Sequence, residues 1–309
     1  ILLTHMDHEG NVGPWMHLAE DIGLKIKWLK FNLSTFEYDL NELSELLSEG
    51  NVRLAAINYA SNCLGTVNDI KKITEMAHQY DTMVFVDAVQ YVAHGPADVQ
   101  NLDCDFFVCS PYKFFGPHQG VLWGKYELLQ KLESYKVRPA DDVPPGKYET
   151  GTQSHEGQAG TLGVIEYLEW IGESMGKEFQ KNFNELSGRR KKLHAAMQAI
   201  QEYELILSER LINGLQEFPD LQIAGINNKK DFLRRVPTVS FSVKNKNPQK
   251  MAQKLADENI FVWHGHNYAL EVVRLIGLED SGGVVRIGPV HYNTIQEIDR
   301  TLEVLGKCL

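Results

Sequence analysis

Apolar residues in the first two-thirds of the chain fall in short runs of strand length, separated by segments whose apolar positions recur with helical spacing. Residues 1–4, 25–31, 52–59, 83–86, 106–109 and 121–123 read as strands. Residues 14–22, with proline at the start, 39–48 and 68–79 read as helices between them. Parallel neighbours need crossover helices, so this alternation predicts an α/β fold with a mostly parallel, doubly wound sheet.

The pattern then changes. Residues 137–151 are rich in Pro, Asp and Gly and read as an exposed loop near a site, and a helix resumes over 162–172. Residues 173–192, with their GRRKK run, read as a solvated helical face. A helical stretch through 203–215 leads to strands at 221–223, 238–243, 260–262 and 284–287, with helices at 248–257 and 294–305. The division that follows is a large domain over 1–198 and a smaller α+β domain over 199–309.

Composition narrows the function more than the fold. The 309 residues carry 31 Lys and Arg against 41 Asp and Glu, a net charge of -10. That balance argues against a nucleic-acid binder, which needs a basic face for phosphates. No apolar run approaches the roughly 18 residues of a membrane span. Cys63, Cys104, Cys109 and Cys308 form no CxxC pair and read as reduced thiols. These features lead us to expect a cytoplasmic protein. The chain opens on Ile1 inside a strand-like run, without an initiator methionine, and so reads as a fragment or a processed chain.

Ligands of open α/β sheets bind beyond the carboxyl ends of the strands. Asp87 ends one predicted strand, Asn62 follows another, and Ser110 and Lys113 follow a third, so the topology brings all four together. An acid and an amine placed in this way can hold the two ends of a pyridoxal phosphate (PLP) ring.

Six ordered motifs carry a resemblance over nearly all of the chain: LTHMDHEGNVGPW, NYASNCLGTVN, VDAVQYVAH, DCDFFVCSPYKFFGP, ETGT and VVRIGPVHYNT. Together they resemble the class V aminotransferase family of PLP enzymes, most closely its cysteine desulfurase branch. The resemblance implies PLP fold type I, with a seven-stranded type of sheet. It implies that Lys113 carries the cofactor as a Schiff base, that Asp87 pairs with the pyridinium nitrogen and that Gln90 bonds the phenolate oxygen. His8 would stack on the ring and shuttle protons. Ser110 would bind the phosphate, and Tyr112 stands where the branch often has histidine, so its hydroxyl would donate without a positive charge. Asn62 would lie near both the substrate carboxylate and the cofactor oxygen, and Arg286 would grip that carboxylate in a two-pronged fashion. Thr152 would reach a phosphate across the interface of a homodimer.

The pattern departs from the family in two places. A desulfurase of this kind takes sulfur on a cysteine in a mobile loop shortly before the substrate arginine. Here that stretch, residues 261–272, reads FVWHGHNYALEV and holds no cysteine; Tyr268 falls at or near the expected position. Tyrosine oxygen cannot accept a persulfide sulfur. His264, His266 and Asn267 lack a carboxylate or cysteine at ligand spacing, so His266 is expected to contact substrate or cofactor rather than a metal. Cys63, beside Asn62, reads as a small buried residue. Second, family members carry a further segment upstream of the first motif, including a turn that cups the phosphate at a helix N-terminus, so weaker PLP binding by this chain alone is expected. The expected function is therefore a PLP-dependent, cysteine desulfurase-like enzyme acting on an amino acid. Transaminase, β-lyase or epimerase chemistry, or a non-catalytic scaffold, are the alternatives.

Overall fold

In the computed structural model, which describes residues 1–149 and 151–309 and leaves Thr150 of the ETGT run outside, the amino-proximal strands form one six-stranded sheet. They are β1 Leu2–Thr4, β2 Lys27–Leu29, β3 Leu54–Asn58, β4 Met83–Asp87, β5 Phe106–Cys109 and β6 Val121–Gly124, in the order β2-β1-β3-β4-β5-β6. The first five run parallel. β6 returns antiparallel on β5, pairing Phe107 with Trp123. It forms the edge of the sheet and leaves Val121 and Leu122 exposed.

Alternation along these strands divides the side chains between two covered faces. Leu2, Ala55, Ile57, Val84 and Val86 join Leu43 and Leu47 of the helix Leu40–Ser48 and Ile70, Ile73 and Ala77 of the helix Ile70–His78. Leu3 and Ala56 point the other way, into a cluster with Val12 and Trp15 at the start of the helix Gly13–Ile22. Asp39 and Asp69 cap their helices by accepting from Asn41 N and Lys72 N, which stops each crossover at a defined place. The doubly wound expectation is met.

The helix His155–Glu173 starts earlier than predicted, on a cap in which Gly157 N donates to Ser154 Oγ. The charged segment that follows is not one helical face. It forms a 3-10 turn, Lys177–Asn182, and then enters the long helix Gly188–Gln216. Three of its cations are paired: Arg189 and Lys192 with Glu169 at 2.9 and 2.7 Å, and Arg190 with Asp98 at 2.6 Å. Position 198 lies in the middle of this unbroken helix. Ala196, Met197 and Ile200 pack with Val164 and Leu168, while Leu207, Leu211 and Leu215 enter the core of the second sheet.

That sheet consists of β7 Leu221–Ala224, β8 Val239–Val243, β9 Trp263–Gly265 and β10 Val284–Ile287, in the antiparallel order β7-β8-β10-β9. Met251 and Leu255 of the helix Pro248–Asp257 and Leu302 and Leu305 of the helix Ile295–Cys308 cover it. β9 begins after the predicted run 260–262. Pairing of Trp263 with Arg286 and of Gly265 with Val284 places the strand there, while Ile260 and Val262 lean on the core. No described helix is long and apolar enough to cross a membrane.

Candidate active site

A cleft of about 860 Å³ opens at the carboxyl ends of β3, β4 and β5, roofed by the β9 turn and by β10. His8, Asn62, Asp87, Gln90, Ser110, Tyr112, Lys113 and Arg286 all line it. The backbone accounts for this convergence. Asp87 is the last residue of β4, in register with Asn58 of β3 and Val108 of β5. Ser110 opens a 3-10 turn, Pro111–Phe114, with Pro111 at its first position, and Phe115 ends the turn in the left-handed region at φ 77°. Lys113 N donates to Ser110 O at 3.0 Å, which fixes the lysine on this turn.

The charges of the cleft act on one another. Burial, and then the nearby Arg286 guanidinium, push the Lys113 ammonium below the usual lysine range, and Asp87 opposes them. Burial pushes the Asp87 carboxyl up, against the Val89 N–H it accepts at 2.9 Å and the charge of Lys113. Burial together with the cations Lys113 and Arg286 lowers His8, favouring the neutral imidazole. Its Nδ1 accepts from Gly10 N at 2.9 Å, so the other ring nitrogen carries the proton when His8 is neutral.

The second sheet closes the cleft through backbone contacts. Arg286 Nη1 donates to Asn62 O at 2.9 Å, and Asn62 Nδ2 donates to Asn267 O at 2.7 Å. Asn267 and Tyr268 both adopt left-handed backbone, at φ 54° and 56°, and turn the chain so that Tyr268 stacks on His8 with ring centroids 5.5 Å apart. Gln90 Nε2 donates to Thr238 Oγ1 at 3.0 Å, tying the turn after β4 to the start of β8.

Thr152 and His266 are not among the residues lining the cleft. Thr152 is exposed. His266 Nδ1 accepts from Tyr268 N at 3.0 Å and its ring meets the Tyr268 ring edge-on, so within this chain it builds the turn. The cysteines are all free; Cys63, Cys104 and Cys308 are buried and Cys109 is half-buried. Burial raises the thiols nearest the cleft, Cys63 and Cys109, to about 11 each.

Sequence reasoning missed Asn58 and Trp263 as lining residues. It also missed Asp7, buried beside His8, which accepts from Asn11 Nδ2 at 2.7 Å, from Asn58 N at 3.2 Å and from Thr4 Oγ1. Its signal was an acid closing the apolar run before His8. Asn267 stood out only beside His264 and His266, and its bond to Asn62, 205 positions away, gave no signal.

The donor set suits PLP. An acid and a desolvated amine face one cleft, with a serine hydroxyl free of any cap bond and a half-buried guanidinium beside them. Asn62 Oδ1 and Asn267 Oδ1 are buried without a hydrogen-bond partner, and such orphaned acceptors in a cleft wall await a bound group.

Comparison with known proteins agrees with this geometry. The model of the family "Aminotransferase class-V" matches residues 1–301. The chain is 32% identical over 315 residues to the aminotransferase-like protein FGM3 of Gibberella zeae, covering 100% of this chain and 72% of that protein. It is 30% identical over 308 residues to a probable cysteine desulfurase of Synechocystis, covering 99% of this chain and 68% of that one. The apo structure of a cysteine desulfurase from Thermococcus onnurineus matches with a TM-score of 0.84 at 25% identity, over 99% of this chain and 72% of that one. The two-sheet architecture is thus PLP fold type I, and the chain belongs to the class-V aminotransferase family, among its cysteine desulfurase-like members, as a PLP-dependent enzyme.

Proposed function

We propose that Lys113 is the residue that takes the cofactor aldehyde as a Schiff base, and that the enzyme transforms an amino acid at its α-carbon without a loop cysteine to receive sulfur. The observation that carries this reading is the placement of Lys113, Asp87 and Arg286 in one cleft, with the lysine shifted toward its neutral, nucleophilic form. Asp87 would face the ring nitrogen and Gln90 the phenolate oxygen, and Ser110 and Tyr112 would serve the phosphate. When bound, PLP supplies an electron sink for the α-carbon. Arg286 would hold the substrate carboxylate, and the Lys113 amine would take the α-proton. His8, with its proton on the ring nitrogen away from Gly10, is placed to pass a proton within the cleft.

Transfer of sulfur to the protein has little support. Tyr268 occupies the turn where a thiol would serve, and the thiols nearest the cleft stay protonated near neutral pH. The exposed position of Thr152 suits a contact across a homodimer, and we place the enzyme in the cytoplasm. The test is a visible absorbance scan of the PLP-loaded protein and of Lys113→Ala, followed by addition of amino acids. A Schiff-base band that survives in Lys113→Ala overturns the assignment.

A further inference from the structure

A second hollow of about 330 Å³ adjoins the cleft and shares Gln90, Lys113, Trp263 and Arg286 with it. Those shared side chains mark its mouth. A substrate gripped by its carboxylate at Arg286 and by its α-nitrogen near Lys113 has both groups at that mouth. Its side chain must then extend either back into the cleft or onward into the hollow. Asp87, which would face the cofactor ring, lines the cleft and not the hollow, so the hollow is the direction away from the cofactor end.

The walls of the hollow have a definite chemistry. Phe261 and Trp263 stand 83% and 60% exposed, two aromatic side chains left uncovered beside a site, with Pro289 and Val290 lining the same space. Among the described residues no carboxylate lines it, while Lys113 and Arg286 do, so a cationic side chain would be repelled. The hollow's other polar side chains are Gln90 and Thr238, which bond one another at 3.0 Å, and His94. His94 also lines a separate cavity of about 490 Å³. His94 Nδ1 lies 2.8 Å from Glu204 Oε2, with both side chains buried, and Glu204 Oε1 accepts from His291 N at 3.1 Å. A carboxylate held in this way makes Nδ1 the donor and orients the imidazole, leaving Nε2 for another group.

We infer that this hollow receives the substrate side chain, and that the substrate is an amino acid with a bulky apolar side chain ending in a hydroxyl or carbonyl oxygen that meets His94. The inference rests on the reading of Lys113 and Arg286 given above. A hydroxyl suits either protonation state of the imidazole, and a site built to bond one discriminates against the analogue without it.

The test titrates the PLP-loaded full-length protein with L-tyrosine, L-phenylalanine, L-alanine and L-lysine. Both cofactor absorbance and intrinsic tryptophan fluorescence are followed, the latter reporting binding without turnover. Tyrosine is expected to bind about tenfold tighter than alanine, with phenylalanine between them and lysine weakest. Val290→Trp, which fills the hollow, should bring the tyrosine-to-alanine ratio toward one. Trp263→Ala, on an exposed wall, should lower the same ratio, and His94→Phe, which keeps a ring but no hydrogen-bonding atom, should erase the preference for tyrosine over phenylalanine. Equal binding of tyrosine and alanine, or a ratio unmoved by both wall variants, overturns the inference alone. A complete lack of response to every amino acid overturns the inference together with the reading it rests on.

Discussion

Arg286 Nη1 donates to the backbone carbonyl of Asn62 at 2.9 Å, joining β10 of the small sheet to the loop after β3 of the large one. One guanidinium nitrogen is thereby committed to holding the group in place, and the rest of the fork faces the cleft. Lysine keeps the charge but not the fork. Arg286→Lys should weaken amino-acid binding by about 2 kcal/mol, or ~30-fold in KM, with a smaller change in kcat. Steady-state kinetics check this, and an unchanged KM would remove Arg286 from substrate binding.

The same loop depends on Gly65, whose φ is +76° and whose Cβ position would meet the carbonyl oxygens of Thr238 and Val236. Gly65→Ala combines left-handed strain with a backbone collision and should cost about 2 kcal/mol or more. Urea unfolding measures it. A variant as stable as the parent would show that the loop and the 236–238 segment are not pressed together.

Burial raises the Asp7 carboxyl well above its ordinary value, the coupling to Asp87 raises it further, and the hydrogen bonds from Asn11, Thr4 and Asn58 only partly oppose this. A carboxyl whose folded value lies above its unfolded value stabilises the fold most at low pH and loses that contribution as pH rises through the folded value. Asp7→Asn has no such dependence. The stability of the parent relative to Asp7→Asn should therefore fall as pH is raised from the acid side of the unfolded carboxyl value toward neutrality. Paired unfolding curves across that range check the sign, and a difference that grows with pH contradicts it.

Tyr268 is 61% exposed in the turn over the cleft. Incubation with L-cysteine should leave no persulfide on the parent protein, whereas Tyr268→Cys should acquire one, detectable by alkylation and mass spectrometry. A persulfide on Cys63 or Cys109 of the parent would show that a buried thiol takes up sulfur despite its raised pKa.

Much of this was legible in the chain because local signals agreed with the tertiary outcome. The helix Pro248–Asp257 follows from its proline and the Asn247 cap, which accepts from Lys250 N. β5 follows from an uninterrupted apolar run and β10 from an apolar run broken only by Arg286, each with turn residues beyond it. The start of the helix His155–Glu173 was hidden because Gly157, Gly160 and Gly163 weaken the helical signal over the turns after the Ser154 cap. β9 was misplaced because the apolar run 260–262 serves the core, while pairing with β10 selects Trp263–Gly265. In the site, Asp87, Ser110 and Lys113, at or just past strand ends, were visible in order, whereas Asn58 at the end of β3 was not. The His94–Glu204 pair, 110 positions apart, and the bond from Asn62 to Asn267 were not, since each exists only once the two sheets meet.

The central claim is that Lys113 carries the cofactor. Borohydride reduction of the PLP-loaded protein, followed by peptide mass mapping, tests it directly. The account predicts a pyridoxyl phosphate adduct on the peptide containing Lys113 and its loss in Lys113→Ala. An adduct on a different lysine, or one that persists in Lys113→Ala, would contradict it.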